Sequence, residues 1–337
     1  MGTGMTEADN SSRVTVDRER ILEIVKHALD SRDKGEGIFG LGVKPPEETF
    51  ITRLKAYGRN NNIESFALHG VFFTVTSLFA DDSAKQLKSF NKRLHLNDHA
   101  WIFKPEDIVQ RDEQEVIQTA QDLLRPGINK IALYRWQHNA QVLCDKYGGD
   151  LKNFFSEYQD HAPAILAELV GPKRKEGWGG FQRFGPKIGR LFLQWVSQYD
   201  LATIFEAESI GIPVDFQVAR LAIQTGGVKL DGPTHKHHVV DQRLVPLFED
   251  LCRENKLLPS RVSETLWLIG STCCNNYWHH LCPLSTMCSS LISREPMDRD
   301  GLFDPTDVGR WANGSLAVTQ RKIEAILQTG QLALPLF

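Results

Sequence analysis

Phe181-Gln182-Arg183-Phe184-Gly185-Pro186-Lys187-Ile188-Gly189-Arg190 is a basic segment punctuated by two glycines, and Pro213-Val214-Asp215 follows it down the chain. Gly185 and Gly189 bracket Pro186-Lys187-Ile188, where glycine permits a tight turn and a close backbone approach. The amides of a helix starting there can hold a phosphate. Pro213-Val214-Asp215 reads as an acidic helix start. Together they predict a helical hairpin followed by a capped helix, with Lys187 and Asp215 facing one cleft. Within 173–190 the basic residues are Lys173, Arg174, Lys175, Arg183, Lys187 and Arg190, against the single acid Glu176, in a chain of net charge −3. A local patch, not the overall charge, therefore points to nucleic acid. A solvated loop between helices is the plainer reading of the same charges.

The flanking sequence reads as helices. Arg18 to Asp33 places Ile21, Leu22, Ile24, Val25 and Leu29 at near-helical spacing and meets a breaker at Gly35-Glu36-Gly37. Glu47 to Tyr57 reads as a second helix. In Ser65 to Ala80 the β-branched Val71, Thr74, Val75 and Thr76 leave a strand open, but the length favours a buried helix. Gln110 to Leu124 stops at Pro126-Gly127. Ile131, Tyr134, His138 and Val142 share a face of the next helix, and short helices are expected at Leu151–Tyr158 and Ala162–Leu169. Helices also fit Phe216–Thr225, Asp241–Asn255, Pro259–Ile269 and Ser315–Leu327. No segment alternates convincingly as a strand. The expectation is an all-α, mainly helical fold, with two helical subdomains around a helix-hairpin-helix. Residues 1–16 read as a disordered N-terminus, 17–126 as an additional helical layer, 127–270 as the hairpin-bearing core, 271–290 as a cysteine loop, and 291–337 as a C-terminal helical extension.

With 337 residues, 41% hydrophobic and 24% charged, the composition is that of a globular protein with a sizeable core. No apolar run reaches the ~18 residues that a membrane helix needs. Of the six cysteines, Cys273, Cys274, Cys282 and Cys288 crowd into one stretch, whereas Cys144 and Cys252 sit among apolar neighbours. A chain this long does not need disulfide staples, so the crowding predicts an intracellular, cytoplasmic protein with a metal site. No membrane and no obligate protein partner are indicated. Walker, dinucleotide, Gly-x-Ser-x-Gly and His-Glu-x-x-His patterns are absent from the sequence.

On these residues the chain resembles the HhH-GPD superfamily of DNA glycosylases, of the endonuclease III type. The segment 181–190 is similar to the family's Leu-Pro-Gly-Val-Gly-x-Lys-Thr-Ala hairpin, with Gly185 at the second glycine and Lys187 at the nucleophilic lysine of bifunctional members. Gly189 takes the place of a small alanine. Arg183 stands where the first hairpin glycine usually lies. Pro213-Val214-Asp215-Phe216-Gln217-Val218-Ala219-Arg220 is similar to the family's Pro-Val-Asp-Thr-His-Val-x-Arg, which puts Asp215 at the essential aspartate. The spacing from Lys187 to Asp215 is longer than the family's, by an insertion around Asp200–Gly211. The resemblance covers roughly 128–290 and implies a DNA N-glycosylase acting on double-stranded DNA, with or without lyase activity.

That chemistry asks for these residue types. Breaking a nucleoside C1′–N bond builds positive charge on the sugar, which a fixed carboxylate stabilises. A neutral lysine could instead attack C1′ and form a Schiff base. Asp215 and Lys187 are thus the candidate catalytic residues. Gly185, Gly189, Arg183, Arg190, Lys173, Arg174 and Lys175 are the candidate DNA contacts. A base flipped from the duplex needs an apolar or aromatic pocket, and Trp178, Phe181 and Phe184 are close enough in sequence to supply one. Core packing is the competing role for each of the three. For Asp215 the competing role is a plain helix cap, and for Lys187 a phosphate contact.

The family's iron–sulfur loop has the form Cys-x6-Cys-x2-Cys-x5-Cys. Cys282-x5-Cys288 matches its last two ligands, His279 falls at the second, and the first falls at Thr272, beside Cys273 and Cys274. The resemblance implies a 4Fe-4S cluster held by four of Cys273, Cys274, His279, Cys282 and Cys288. The same donor types suit zinc, and a loop that has lost its metal is the third reading. The run His235-Lys236-His237-His238 near Asp241 reads as an exposed polar loop. Two other functions stay open: hydrolysis of a free modified nucleoside or nucleotide, and a non-catalytic helix-hairpin-helix binding module.

Overall fold

The computed structural model describes residues 13–77, 83–124, 130–171, 180–274, 278–288 and 302–303. In chain order β1 (Val14–Val16) precedes α1 (Arg18–Asp33), α2 (Pro46–Asn60), α3 (Phe66–Ser77) and α4 (Ser83–Arg93). Then come α5 (Leu96–His99), α6 (Pro105–Gln110), α7 (Glu113–Leu124), α8 (Lys130–Tyr147), α9 (Leu151–Glu157), α10 (Ala162–Val170) and α11 (Pro186–Gln198). After these follow α12 (Phe216–Gln224), β2 (Val228–Leu230), β3 (Thr234–His235), α13 (Lys236–Val239), α14 (Val245–Glu254), α15 (Pro259–Leu268) and β4 (Leu302–Phe303). The all-α class is as the sequence indicates. Among the described residues no helix is long and apolar enough to cross a membrane.

The chain forms two compact units. One is continuous, from Pro45 to Pro213, and the other joins the segment ending at Lys44 to the segment starting at Val214. The boundary expected at 126/127 falls outside the described residues. Residues 14–16, expected to be disordered, form β1 and pair antiparallel with β2, Val14 opposite Leu230 and Val16 opposite Val228. That pairing joins segments far apart in sequence, so no local pattern announces it.

The continuous unit is organised on α3, all of whose residues are buried. A helix that is apolar all round shows no amphipathic period, which is why Ser65–Ala80 left a strand open. α3 packs on α2, α8 and α11. Its Phe72 ring meets Phe181 at 5.0 Å, Phe184 at 4.9 Å and Phe192 at 5.6 Å between centroids. Phe73 stacks on Trp136 at 5.7 Å, and the Trp136 indole donates to the Ile102 carbonyl at 2.8 Å. Burying each such ring contributes about 1.5–3 kcal/mol. α4, α5 and α6 lie where the sequence reading had no helix, because short charged segments carry too few apolar positions to show a period.

In the discontinuous unit, Asp17 caps α1 by accepting from the Arg20 amide at 2.9 Å. α1 packs on α15, and Arg32 reaches across to Glu264 at 2.6 Å and Thr265 at 2.9 Å. The expected helix Asp241–Asn255 is in fact a π-helical turn, Val240–Leu244, running into α14. The extension expected at 291–337, including the helix Ser315–Leu327, lies outside the described residues apart from β4, which pairs with β3.

Candidate functional site

The described residues directly ahead of α11 are not helical. α10 ends at Val170, and residues 180–185 are extended and bent until Gly185 caps α11. The described part of this segment is pinned to α8. Asn139, fully buried, accepts from the Gln182 amide at 2.7 Å and donates to the Gln182 carbonyl at 3.2 Å, while His138 Nε2 meets the Gly180 carbonyl at 3.1 Å. Sequence reading missed Asn139, since nothing marks a helical asparagine as a clamp for a segment forty residues away.

The backbone at Arg183 has φ +72°, in the left-handed region that favours glycine. So the residue departs from the family's hairpin glycine while the backbone keeps a glycine-like conformation, at a cost of about 1 kcal/mol. The Arg183 side chain is half-buried, with Nε donating to the Thr76 carbonyl at 3.4 Å. Burial first, and then the positive charge of Arg135, pull its pKa below the usual arginine range.

Several expected site residues have structural roles instead. Phe181 and Phe184 are buried against Phe72 as part of the aromatic core, the packing role, and not open to a flipped base. Arg190 is buried and donates to the carbonyls of Ile210 at 2.8 Å and Pro186 at 3.0 Å, so it fastens the 207–210 turn instead of meeting phosphate. Gln194 adds a bond to the Gly211 carbonyl at 3.2 Å. Gly189 is a packing glycine: a Cβ there would lie 2.8 Å from Leu166 Cδ1 and 3.2 Å from Val170 Cγ2 on α10. Gly185 is exposed, with open space where a Cβ would be, and Lys187 is exposed on the first turn of α11. Lys173, Arg174, Lys175 and Trp178 lie outside the described residues.

Asp215 opens α12 in the discontinuous unit, whereas Lys187 belongs to the continuous one. Its Oδ1 accepts from the Val218 amide at 3.0 Å, the geometry of an N-cap. Further along α12, the fully buried Arg220 donates to the Gly270 carbonyl at 2.7 Å and stacks over Phe216. Gly270 belongs to the π-helical turn Ile269–Cys274, so Arg220 links the Asp215 helix to the cysteine loop.

In that loop Cys273 is buried, its thiol donates to the Leu281 carbonyl at 3.9 Å, and Cys282 is its neighbour. The interaction between the two pushes the Cys273 thiol up, with burial adding to it, and holds the Cys282 thiol down. Burial pushes the Cys274 thiol up to about 12, against the pull of Arg220, and Cys282 and Cys288 act on it as neighbours. Burial, with His280 beside it, lowers the His279 pKa, and the buried Nε2 of His279 has no hydrogen-bond partner among the described residues. Gly37, at φ +58°, backs the loop so closely that any Cβ would strike the Leu281 carbonyl. Thiols and an unpartnered imidazole nitrogen suit a thiolate-seeking metal. Among the described residues, however, no three His, Cys, Asp or Glu side chains are placed to hold a metal ion. The arrangement is a thiol pair with flanking donors and not a closed cage. In the polar run, His237 Nδ1 bonds Asp241 at 2.9 Å and His238 Nδ1 bonds Gln242 at 2.9 Å, so these rings are engaged locally.

No protein-family model matches the chain, and no curated protein matches it.

Proposed function

We propose that this protein is a DNA N-glycosylase of the helix-hairpin-helix type, removing a damaged or modified base from double-stranded DNA. The observation that carries the reading is the setting of Asp215. It follows Pro213-Val214 in the family's order, and its Oδ1 is fixed by the Val218 amide. A carboxylate held this way keeps its orientation, and Oδ2 is left to face the positive charge that grows on the sugar as the C1′–N bond breaks. Water then takes the place of the departing base. In this reading Lys187 contacts a phosphate. Attack on C1′ needs a neutral amine, which burial favours, and Lys187 is exposed. The reading is therefore of a monofunctional enzyme.

The cysteine loop enters the proposal as a structural site. An iron–sulfur cluster, or zinc as the alternative, would have to draw its ligands from Cys273, Cys274, Cys282, Cys288 and His279, no three of which surround a single ion as the loop is placed. The metal would brace the loop that Arg220 links to α12, and no step of the reaction passes through it. Elemental analysis of purified protein distinguishes iron with sulfide from zinc.

Asp215→Asn tests the function. Asparagine caps a helix as well as aspartate does, so the fold and DNA binding should survive. Base release from a panel of damaged and modified duplexes should fall by roughly 10²–10³-fold, the usual cost of removing one charge-stabilising group. Release at the wild-type rate would remove Asp215 from the mechanism. Borohydride trapping at Lys187 would make the enzyme bifunctional. Turnover of free nucleoside with little salt dependence would favour the small-molecule alternative.

A further inference from the structure

We infer that the cavity at the C-terminal ends of α9 and α11 is a binding site for a small aliphatic di- or polyamine. The inference goes beyond the glycosylase reading and does not rest on it. The cavity lies wholly within the continuous unit and measures about 560 Å³, a volume within the usual range for a small-ligand pocket. Asp160, Asp200, Ser156, Ser197 and Thr203 line it, and Phe155 and Ile204 add apolar wall. Among the described residues, neither carboxylate and none of the three hydroxyls takes part in a hydrogen bond or an ion pair. The backbone that carries the two carboxylates is nonetheless fixed. Asp160 donates its amide to the Phe155 carbonyl at 2.9 Å and accepts from the Phe205 amide at 2.7 Å, and the amide after Asp200 reaches the Val196 carbonyl at 3.0 Å.

Electrostatics selects the ligand. Both aspartates follow helix C-termini, where the helix dipole is itself negative and disfavours a carboxylate. Both have positive φ, +54° and +48°, a conformation often given to glycine at the end of a helix. The cations nearby are engaged elsewhere: Lys152, also in the lining, pairs with Glu64, and Lys55 donates to the Tyr199 carbonyl at 2.6 Å. The cavity thus holds two carboxylates with no cation in contact, and its complement is a positive ligand. A neutral polyol would leave both charges uncompensated. A metal ion needs more donors, and among the described residues no three His, Cys, Asp or Glu side chains are placed to hold one. An alkyl amine meets every feature. Its ammonium groups donate to the carboxylates and hydroxyls in charge-assisted bonds, and its methylene stem lies on Phe155 and Ile204.

The test titrates the full chain with spermidine and with putrescine by calorimetry at fixed ionic strength, beside thermal melting. The variants are Asp160→Asn, Asp200→Asn and the double change. Asparagine tolerates the left-handed backbone and keeps the side-chain size, so the unliganded variants should melt like wild type. Each single change should weaken spermidine binding roughly tenfold, and the double change should abolish it. Asp200→Gly, which suits the same backbone by a different route, should reproduce the loss seen with Asp200→Asn. Glucose and magnesium should leave the wild-type melting temperature unchanged. Spermidine binding that survives in the double variant overturns the inference, as does the failure of both amines to bind wild type. Glucose that binds in place of the amines would assign the cavity to polyols, and magnesium that displaces spermidine would assign it to a metal; either result also overturns the inference.

Discussion

The two units are held together by different means. The continuous unit, 45–213, is an aromatic core: Phe72 alone meets Phe73, Phe181, Phe184 and Phe192, and Phe50, Phe66, Phe90 and Phe103 form a second group of touching rings. The discontinuous unit joins an N-terminal strand and helix to the C-terminal half with a short antiparallel pairing and cross-segment ion pairs: Arg18 with Glu254, Arg32 with Glu264, Arg261 with Asp33. Its buried residues are mostly aliphatic, among them Ile21, Ile24, Val25, Leu251, Val262 and Leu266. In the continuous unit the rings themselves join distant segments, as Phe72 does with Phe181 and Phe192. Where the segments are two hundred residues apart, directional contacts fix which faces meet.

The contrast can be broken at its strongest point first. Phe72→Ala should cost about 3–5 kcal/mol in denaturant unfolding, the range for losing a buried ring and leaving a cavity. A loss below about 1 kcal/mol would deny Phe72 its place as hub. In the other unit Arg32→Ala should cost about 2 kcal/mol, because it removes a partner from the Glu264 carboxylate, whose side chain is only 9% exposed.

A pH effect comes next in size. Hydrogen bonding to His69, and then to the Lys152 amide and Ser65, holds the Asp150 carboxyl well below the usual carboxylate range, against the opposing effect of its burial. The folded pKa is depressed, so this contribution is fully present above the unfolded value of ~3.9 and is lost as pH falls through the folded value. Asp150→Asn should therefore lower the melting temperature at neutral pH and converge with wild type in strong acid. Parallel melting curves at every pH would deny the carboxylate that role. Smallest is Arg261→Ala. Its pair with Asp33 is exposed on both sides, and the change should move stability by no more than about 0.5 kcal/mol. If Arg261 and Arg32 cost the same, burial is not what separates the pairs.

Much of the local structure was legible. The spacing of Ile21, Ile24 and Val25 announces α1, and Pro163 and Pro259 mark helix starts that are found there, whereas Pro186-Lys187-Ile188, expected as a turn between two helices, is the first turn of α11. Asp215 is readable as a cap, because a short carboxylate ahead of an apolar-periodic segment can accept from the first free amides of the helix. The roles of the residues around it were not. Arg183, Arg190, Phe181 and Phe184 look alike as a basic, aromatic stretch. Only packing separates the buried Arg190, spent on the Ile210 carbonyl, from the half-buried Arg183 on the Thr76 carbonyl, and sends both phenylalanines into the core. The cysteines were visible as a cluster, but their spacing could not show that Cys273 would be buried and bonded to the Leu281 carbonyl.

What the amino-acid sequence determined by itself is the helical class, most helix starts and the chemical types gathered near 181–190, 215 and 273–288. These follow from periodicity, turn residues and composition, which act over a few residues at a time. The tertiary structure alone decided that the N-terminal strand belongs with the C-terminal half, that Gly189 is a packing contact, and that Asn139 clamps the Gln182 backbone. Those outcomes depend on which buried surfaces and unsatisfied backbone groups find each other across long stretches of chain, and no local pattern carries that information.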